Sequence, residues 1–290
     1  MKHFYIISNS DKPANKVLSE KIKDYLLDKG CTAVLSDTSF QTIRKHDSYL
    51  FTNPDNVPEN TEAVLCLGGD GTLLHAGKDL HHKHIPLLGI NSGTLGYLTE
   101  VDPDSVIEAC DNLIEDNFAI EEHMMLAGRL NKPEHENIWD HALNDIVLCR
   151  SVGNKTNDYN IYVDGAFLKR YVADGIILST PTGSTAYNLA AGGPIIDPLA
   201  SSILMTPIAP HSLNNRSIIL RSEAEIVVEI TKREDKPFTP VQISFDGSDG
   251  DMLEAGESII IRKSEITVPI IKLSNVSFLE VLRRKMADNI

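Results

Sequence analysis

The sequence has few basic residues and no long apolar run, and both absences restrict its function. Its 290 residues include 27 Lys and Arg against 41 Asp and Glu, a net charge of −14. This acidic balance disfavours nucleic acid and anionic membranes as main partners. No stretch approaches the roughly 18 apolar residues of a membrane span, and the apolar run after Met1 is too short for a signal peptide. We therefore expect a cytoplasmic protein.

Cysteines are scarce and widely spaced. The sequence has no CxxC pair, and three of its four cysteines stand inside apolar runs. Paired spacings are typical of disulfide frameworks and zinc sites, so neither is indicated here. We expect reduced, buried thiols, which fit the cytoplasm; they are Cys31, Cys66, Cys110 and Cys149.

The two commonest nucleotide-binding signatures are missing as well. No GxxxxGK[ST] occurs anywhere in the chain. A glycine pair flanks Asp70, but Thr72, Leu73 and Leu74 follow, so the third glycine of GxGxxG is absent. A P-loop enzyme and a standard Rossmann dehydrogenase are therefore disfavoured.

The stretch from Ala63 to Thr72 is the first feature that indicates a function. Its apolar first half predicts a buried strand, and the sequence Gly-Gly-Asp-Gly-Thr follows at 68–72. We expect a helix to begin near Thr72, with unpaired N–H groups that suit a phosphate. The glycines would take positive φ angles and let a ligand approach the backbone. The alternative is an ordinary surface turn.

The carboxylate of Asp70 is unusual in a phosphate loop. A carboxylate repels phosphate unless it holds a cation or takes a proton from an attacking hydroxyl. Asp70 therefore indicates phosphoryl transfer more than simple binding.

Strands alternate with helices in the first part of the chain, which predicts an α/β domain with a parallel sheet. Asn15 to Lys29 predicts a helix with Val17 and Ile22 on its inner face. A strand at 86–90 ends in a second glycine-bearing loop at 91–97, placed like the first beyond a strand's carboxyl end. Ligands bind at that edge of open parallel sheets.

After about Ile120 short strands and turns replace this pattern. The Asp164-Gly165 dipeptide predicts a hairpin with a type I′ turn. We expect an α/β domain over 1–120, a β-rich domain over 121–274, and a C-terminal helix over about 275–290 that packs back on the first domain.

A second constellation runs from Asp174 to Pro194. A strand ends there in a loop rich in hydroxyls and glycine, and an Ala-rich segment and another glycine pair follow. Hydroxyl and N–H groups of this kind bind phosphate or ribose without adding charge. A capped helix followed by a turn is the structural alternative.

Taken together, these motifs resemble those of the bacterial NAD kinase family. The resemblance rests on the loop at 68–72, Asn91 to Leu98, Ala142 to Asp145 and Asp174 to Gly193, with weaker motifs at 206–216 and Asp246-Gly247. It covers about 65–247 in the family's order. The glycine loop alone is shared with diacylglycerol kinases and phosphofructokinases, whereas the run at 180–187 is far more discriminating.

The resemblance implies an NAD kinase-like fold, in which an α/β domain is joined to a β-sandwich-like domain over 121–274 that binds the dinucleotide. It also implies phosphorylation of the adenosine 2′-hydroxyl of NAD⁺ by ATP. It implies that Asp70 is the general base and that the residues binding nucleotide are Gly68, Gly69, Gly71, Thr72, Asn144, Asp145, Asp174, Thr182, Thr185, Ala186 and Tyr187. Asp145 stands where members often have Glu, and Ser248 where Gln is frequent, so the roles at both places are open.

The implied cofactor is Mg²⁺ or another divalent cation that arrives with ATP, and the implied assembly is a homodimer or homotetramer. We expect no protein-held metal, because His81, His82 and His84 lack an acidic or cysteine partner at ligand spacing and fit a solvated helix end. Two alternatives remain open: a lipid kinase of the diacylglycerol type, and a dinucleotide-binding sensor without turnover.

Overall fold

The computed structural model describes residues 1–8, 13–36, 44–45, 48–49, 51–91, 96–151, 156–212, 215–231, 239–274 and 276–287. The chain forms two compact units, one comprising Met1–His123 with Thr267–Ile290 and the other Met124–Ile266. Within the residues listed above, no helix has both the length and the apolar character needed to cross a bilayer.

The first unit alternates strands and helices. In chain order its elements are β1 (His3–Ser8), α1 (Pro13–Asp28), β2 (Thr32–Leu35), β3 (Arg44–Lys45), β4 (Ser48–Tyr49), β5 (Ala63–Gly68), α2 (Asp70–Leu80), β6 (Leu87–Asn91), α3 (Val106–Ile114) and the start of β7 (Ala119–Leu130).

The second unit is mostly strands. Its elements are the rest of β7, then β8 (Asp140–Ala142), β9 (Asp145–Arg150), β10 (Asn157–Val163), β11 (Ala166–Ala173), β12 (Gly175–Ser179), α4 (Tyr187–Ala190), β13 (Ser202–Ile208), β14 (Ile218–Arg221), β15 (Ile226–Thr231), β16 (Val241–Phe245), β17 (Ser248–Leu253) and most of β18 (Ser258–Lys272). The end of β18 and α5 (Phe278–Ala287) belong to the first unit.

The strands of the first unit pair in parallel, in the order β2-β1-β5-β6, and Ile270 of β18 pairs in parallel with Leu87 of β6. Gly68, the last residue of β5, stands beside Asn91, the last residue of β6. Both glycine-bearing loops therefore leave the same edge of the sheet, which confirms the predicted placement.

Helix α1 was predicted at nearly the right place but with one wrong inward residue. Ile22 is fully buried, whereas Val17 is 72% exposed. The buried face carries Asn15, Ser19 and Ile22, at spacings of four and three residues, so two small polar side chains occupy positions that the apolar pattern alone did not identify.

The second unit contains a six-stranded antiparallel sheet in the order β14-β13-β12-β9-β16-β17. A second antiparallel layer pairs β11, β10, β15 and β18. Side chains of both layers, such as Ile176 of β12 and Val228 of β15, enter one buried core, as in a β-sandwich. Asp164 and Gly165 join β10 to β11 with φ angles of 51° and 77°, which confirms the predicted hairpin turn.

Candidate active site

The glycine loop passes directly from strand to helix. Helix α2 begins at Asp70, two residues before the expected start near Thr72, with Gly69 as its N-cap. The predicted positive φ angles are wrong, because Gly68, Gly69 and Gly71 are not among the described glycines with positive φ. The loop needs no left-handed residue because the chain enters the helix without a reversal.

Space explains these glycines better than backbone conformation does. A Cβ on Gly68 would stand 2.0 Å from Thr72 Oγ1, so a side chain there collides with the first turn of α2. A Cβ on Gly69 or Gly71 would meet no heavy atom of the described residues within 4 Å. A ligand can therefore approach the backbone closely at the start of α2, where N–H groups lack intrahelical acceptors.

The Asp70 carboxylate holds the second loop through three consecutive backbone amides. Asp70 Oδ2 accepts a hydrogen bond from Tyr97 N at 2.7 Å. Asp70 Oδ1 accepts from Leu98 N and Thr99 N, each at 3.0 Å, and from Thr99 Oγ1 at 3.2 Å. No motif in the sequence indicates these contacts, which join residues almost thirty positions apart.

These four hydrogen bonds are divided unequally between the two oxygens of Asp70. An ionised carboxylate offers about two acceptor sites on each oxygen. Among the described residues, Oδ1 has three donors and is saturated, whereas Oδ2 has one donor and keeps room for a second. Oδ2 is therefore the atom that can accept a hydrogen bond, or a proton, from a substrate hydroxyl.

Gly96 allows the second loop to come this close. A Cβ at that position would stand 1.9 Å from Asp70 Oδ1 and 2.2 Å from Thr99 Oγ1. Any larger residue would push the loop off the carboxylate. The preceding part of this predicted motif, Ser92 to Leu95, lies outside the described residues.

In the second unit, three motifs meet at one edge of the six-stranded sheet. Asp145, the first residue of β9, pairs with Ser179, the last residue of β12. Ile146 pairs on the other side with Phe245, the last residue of β16, and Asp246 follows directly. The start of β9 thus lies between the ends of two antiparallel neighbours, which brings together segments about 100 residues apart in sequence.

The backbone around Asn144 and Asp145 is fully occupied by protein partners. Asp246 accepts hydrogen bonds from the N–H groups of residues 143–145 at 2.7, 2.7 and 3.1 Å. On the other side, Thr180 Oγ1 donates to the carbonyl of Leu143 at 2.6 Å and Thr180 N to that of Asn144 at 2.9 Å. The side chains of Asn144 and Asp145 are left for other contacts.

Both of these side chains are in energetically unfavourable surroundings. Burial, and then the nearby Asp246 carboxylate, raise the pKa of Asp145 to about 7. Asn144 Oδ1 is shielded from solvent and accepts no hydrogen bond from the described residues. Perturbed acids and unpaired buried acceptors concentrate at ligand sites, where a bound hydroxyl or amine can satisfy them.

The run at 180–187 folds as a short 3-10 helix, Thr182–Thr185, followed by Ala186 and by Tyr187 at the start of α4. It packs against the preceding motif so tightly that a Cβ on Gly183 would stand 2.1 Å from the carbonyl oxygen of Asn144. Tyr187 is 44% exposed, and burial together with the charges of Cys149, Asp145 and Asp174 raises the pKa of its phenol.

A buried asparagine fixes the far end of this run. Asn188 donates to the carbonyls of Ser184 and Pro194, each at 3.0 Å, and its Oδ1 accepts from Thr206 Oγ1 at 2.7 Å. The sequence pattern did not single out Asn188, although an amide in an Ala-rich helical segment is a usable sign of a buried polar contact.

Asp174 lies just before β12 and is paired within the chain. Arg150 Nε and a guanidinium nitrogen lie 2.9 and 3.2 Å from its two carboxylate oxygens. The geometry is bidentate, so each oxygen keeps an acceptor site for a further donor. Arg150 carried no recognisable signal in the sequence, because its approach to Asp174 depends on the pairing of β9 with β12.

No group of three or more His, Cys, Asp or Glu side chains suited to a metal ion occurs among the described residues. His81, His82 and Lys83 form a 3-10 turn after α2, and His81 Nδ1 lies 2.6 Å from the carbonyl of Lys78. All four cysteines are free, with Cys31, Cys66 and Cys110 buried and Cys149 half-buried.

Two family models match the chain and together cover most of it. Residues 4–118 match the ATP-NAD kinase N-terminal domain, and residues 143–273 match the ATP-NAD kinase C-terminal domain. The NAD kinase of Lachnospira eligens is 42% identical over 99% of this chain and 100% of its own length. The NAD kinase of Agathobacter rectalis is 40% identical over 99% of each.

Solved structures show the same fold. Yeast NADH kinase, crystallised with NADH, superposes with a TM-score of 0.85 at 27% identity, covering 100% of this chain and 88% of that one. An NAD kinase from Archaeoglobus fulgidus in complex with ATP superposes with a TM-score of 0.74 at 22% identity, covering 99% and 98%. This second likeness concerns the fold.

Proposed function

The chain belongs to the ATP-NAD kinase family and is an enzyme that phosphorylates NAD, and we propose the roles that its residues take in that reaction. The reaction transfers the terminal phosphoryl group of ATP to the adenosine 2′-hydroxyl of NAD⁺ and gives NADP⁺ and ADP. The observation that carries the residue roles is the division of hydrogen bonds at Asp70, which leaves Oδ2 able to receive a hydroxyl proton.

Asp70 is the general base in this proposal. Its Oδ2 accepts a hydrogen bond from the 2′-hydroxyl and takes the proton as the oxygen attacks the terminal phosphorus of ATP. Phosphoryl transfer depends mainly on position and charge stabilisation, so the base must be held rigidly. The amides of residues 97–99 supply that rigidity.

The phosphates bind at the start of α2. Gly69 and Gly71 leave space for them, the helix N-terminus supplies N–H groups, and the positive end of the helix dipole favours their charge. Gly68 and Thr72 act indirectly, because their mutual contact fixes the turn.

The dinucleotide binds, in this proposal, at the edge of the six-stranded sheet where Asp145, Ser179 and Asp246 lie side by side. The carboxylate of Asp145 and the side-chain carbonyl of Asn144, which accepts no hydrogen bond from the described residues, accept hydrogen bonds from ribose hydroxyls or the adenine amine. The exposed ring of Tyr187 gives a base a surface to stack on. The free acceptor sites of Asp174 add a further contact, and Thr182, Thr185 and Ala186 shape the wall.

A divalent cation, Mg²⁺ or Mn²⁺, enters with ATP as part of the substrate in this proposal. Asp70 already accepts four hydrogen bonds from the described residues, and those residues contain no group of side chains suited to a metal ion. The phosphate oxygens themselves are therefore the main ligands, and the cation neutralises their charge during transfer.

We further propose a cytoplasmic location and a homodimer or homotetramer. Four free thiols, three of them buried, fit a reducing compartment. The assembly is implied by the family motifs, and light scattering on pure protein tests it: a monomer at all concentrations would contradict the proposal.

The central test is Asp70→Asn, assayed for NADP⁺ formation with ATP, NAD⁺ and Mg²⁺. We expect kcat to fall by at least about 100-fold, the usual contribution of a general base. The new amide could also place its NH₂ group against the backbone N–H of residue 97 and shift the loop. Calorimetric Kd values for both substrates are therefore needed to separate loss of the base from loss of binding. Loss of the base alone leaves them within about threefold of the wild type.

Asp104→Asn, which changes an exposed carboxylate in the same unit, is the matched control. Wild-type turnover in Asp70→Asn would exclude the base assignment. Diacylglycerol as an alternative acceptor tests the lipid-kinase hypothesis, which neither family match supports. A wild-type protein that binds NAD⁺ tightly but forms no product would instead establish the sensor hypothesis.

A further inference from the structure

The Asp-Gly pair at 246–247 lies at the turn between β16 and β17, where both residues have positive φ, 52° and 74°. Asp246 is almost fully buried, at 7% exposure. A positive φ at a non-glycine residue destabilises the folded state, and burial of a carboxylate destabilises it further. Asp246 can hold this buried position only if its side chain makes strong contacts that offset both effects.

Three hydrogen bonds to the Asp246 carboxylate come from one short segment. The Asp246 carboxylate receives three consecutive backbone N–H groups, from Leu143, Asn144 and Asp145, and Asp246 N donates back to the carbonyl of Asp145 at 3.0 Å. Hydrogen bonds to an ionised carboxylate are about twice as strong as neutral ones. The turn thus binds the segment 143–145 more firmly than sheet pairing alone does.

The opposite side of segment 143–145 is held by Ser179 and Thr180, at the end of β12. Ser179 Oγ and Thr180 N both donate to the carbonyl of Asn144, at 3.2 and 2.9 Å. Thr180 Oγ1 donates to the carbonyl of Leu143 at 2.6 Å and accepts from Gly183 N at 3.0 Å, so this hydroxyl connects the segment to the 3-10 helix. The backbone of Asn144 and Asp145 is therefore fixed from both sides.

We propose that Asp246 is a positioning residue that sets the conformation and charge of the Asn144–Asp145 pair and thereby the affinity for the dinucleotide. The inference rests on the proposed role of that pair in binding NAD⁺. Asp246 does not touch the substrate in this account; it acts through the backbone amides of residues 143–145 and through its charge.

The charge gives Asp246 an effect that a purely structural residue would not have. The groups facing the Asp145 carboxylate are Asp246, from the β16–β17 turn, and the Tyr187 phenol, from α4. Asp145 ionises more readily when the neighbouring negative charge is removed. Since the ionised form accepts ribose hydroxyls, NAD⁺ binding strengthens as pH rises through the pKa of Asp145, which burial raises first and the Asp246 charge raises further.

Two substitutions separate the two effects. Asp246→Asn removes the charge and turns an amide N–H towards a backbone N–H, so we expect KM for NAD⁺ to rise about tenfold and the pH transition to move to lower pH. Asp246→Glu keeps the charge but displaces the oxygens, so KM rises while the transition stays in place. KM for ATP stays within about twofold in both.

Asp251→Asn, which removes the same charge from an exposed position on β17, is the matched control. The inference is overturned if Asp246→Asn keeps the wild-type KM and pH profile, or if it weakens both substrates equally with no change in that profile. Should Asp246→Asn not fold, Asp246→Glu with the wild-type KM for NAD⁺ overturns it equally. Failure of the proposed function is a separate result, because the wild type would then form no NADP⁺.

Discussion

Asp70 Oδ1 accepts two hydrogen bonds from Thr99, one from its backbone N–H at 3.0 Å and one from its hydroxyl at 3.2 Å. Thr99 is 2% exposed, so the contact is shielded from water. The residue that we propose as the base is thus also the anchor of a neighbouring loop. Oδ1 accepts three of the four anchoring hydrogen bonds, whereas Oδ2 accepts one and keeps an acceptor site for a substrate hydroxyl.

Thr99→Val tests the anchoring task without changing the carboxylate. It removes one hydrogen bond, worth about 1 kcal/mol, so we expect turnover to fall about fivefold and amide exchange at residues 97–99 to accelerate. Thr99→Ser keeps the hydroxyl and serves as the control. If the Val and Ser variants behave alike, the hydroxyl contributes nothing to the position of Asp70.

Gly71→Ala tests the space at the start of α2. A Cβ there meets no heavy atom within 4 Å in the part of the chain that the structure describes, and alanine favours a helix over glycine by about 0.5–1 kcal/mol, so the folded protein should gain stability. KM for ATP should nevertheless rise, because the methyl group occupies the path of the phosphates. Urea denaturation and initial rates measure the two effects.

Gly68→Ala is the contrasting variant, since its Cβ would collide with Thr72. Overpacking of this kind typically destabilises by about 1–3 kcal/mol, so here stability should fall. A Gly71→Ala protein with an unchanged KM for ATP would show that the phosphates do not approach this turn.

Asp145→Asn should stabilise the fold while impairing the enzyme. The folded protein raises the pKa of Asp145 from 3.8 to about 7, so it binds the proton more tightly than the unfolded chain. Stability is therefore lost as pH rises from about 4 to 7, and the full penalty is present above pH 7. We expect the variant to melt at least about 3 °C above the wild type at pH 8.

This gain should disappear below about pH 4, where the wild-type carboxyl becomes protonated in the unfolded chain as well as in the folded protein. Activity should fall through a higher KM for NAD⁺. Equal melting temperatures of Asp145→Asn and the wild type at pH 8 would mean that ionisation of Asp145 does not destabilise the folded protein. Asp251→Asn controls for the general loss of negative charge.

Phe278→Ala tests the contact of α5 with the second loop. The ring centroids of Phe278 and Tyr97 are 6.4 Å apart, and Lys285 Nζ lies 4.6 Å from the Tyr97 ring. Loss of the aromatic pair should destabilise by about 0.5–1.5 kcal/mol and increase proteolysis near residue 97. Leu279→Ala, at a side chain that is 69% exposed, should do neither.

Local signals in the sequence predicted the short-range features. The strand ending at Gly68, the hairpin at Asp164-Gly165 and the helix ending before Gly30 each depend on a few neighbouring residues, and the structure has all three. The predicted family and fold class are confirmed as well, since both family models and the solved relatives agree with them. The inward position of Val17 was wrong, because burial depends on what packs against the helix.

Side-chain partners across long sequence separations were not predictable. Asp246 meets residues 143–145 only because β9 lies beside β16, and Arg150 meets Asp174 only because β9 also lies beside β12. Strand order is a property of the whole sheet, and no pattern within any one of these segments encodes it. The sequence therefore marked Asp246 as part of a motif without indicating what it holds.

The sequence alone determined the Gly-Gly-Asp-Gly-Thr loop, its place after a buried strand and the chemistry of a carboxylate among phosphates, because these depend on residue type and local order. Only the tertiary structure decided that α2 begins at Asp70, that Gly68 and Gly96 are required by close contacts, and that Oδ2 of Asp70 keeps an acceptor site. Hydrogen bonds are directional and short, so which oxygen remains available is settled only when the loops are in place.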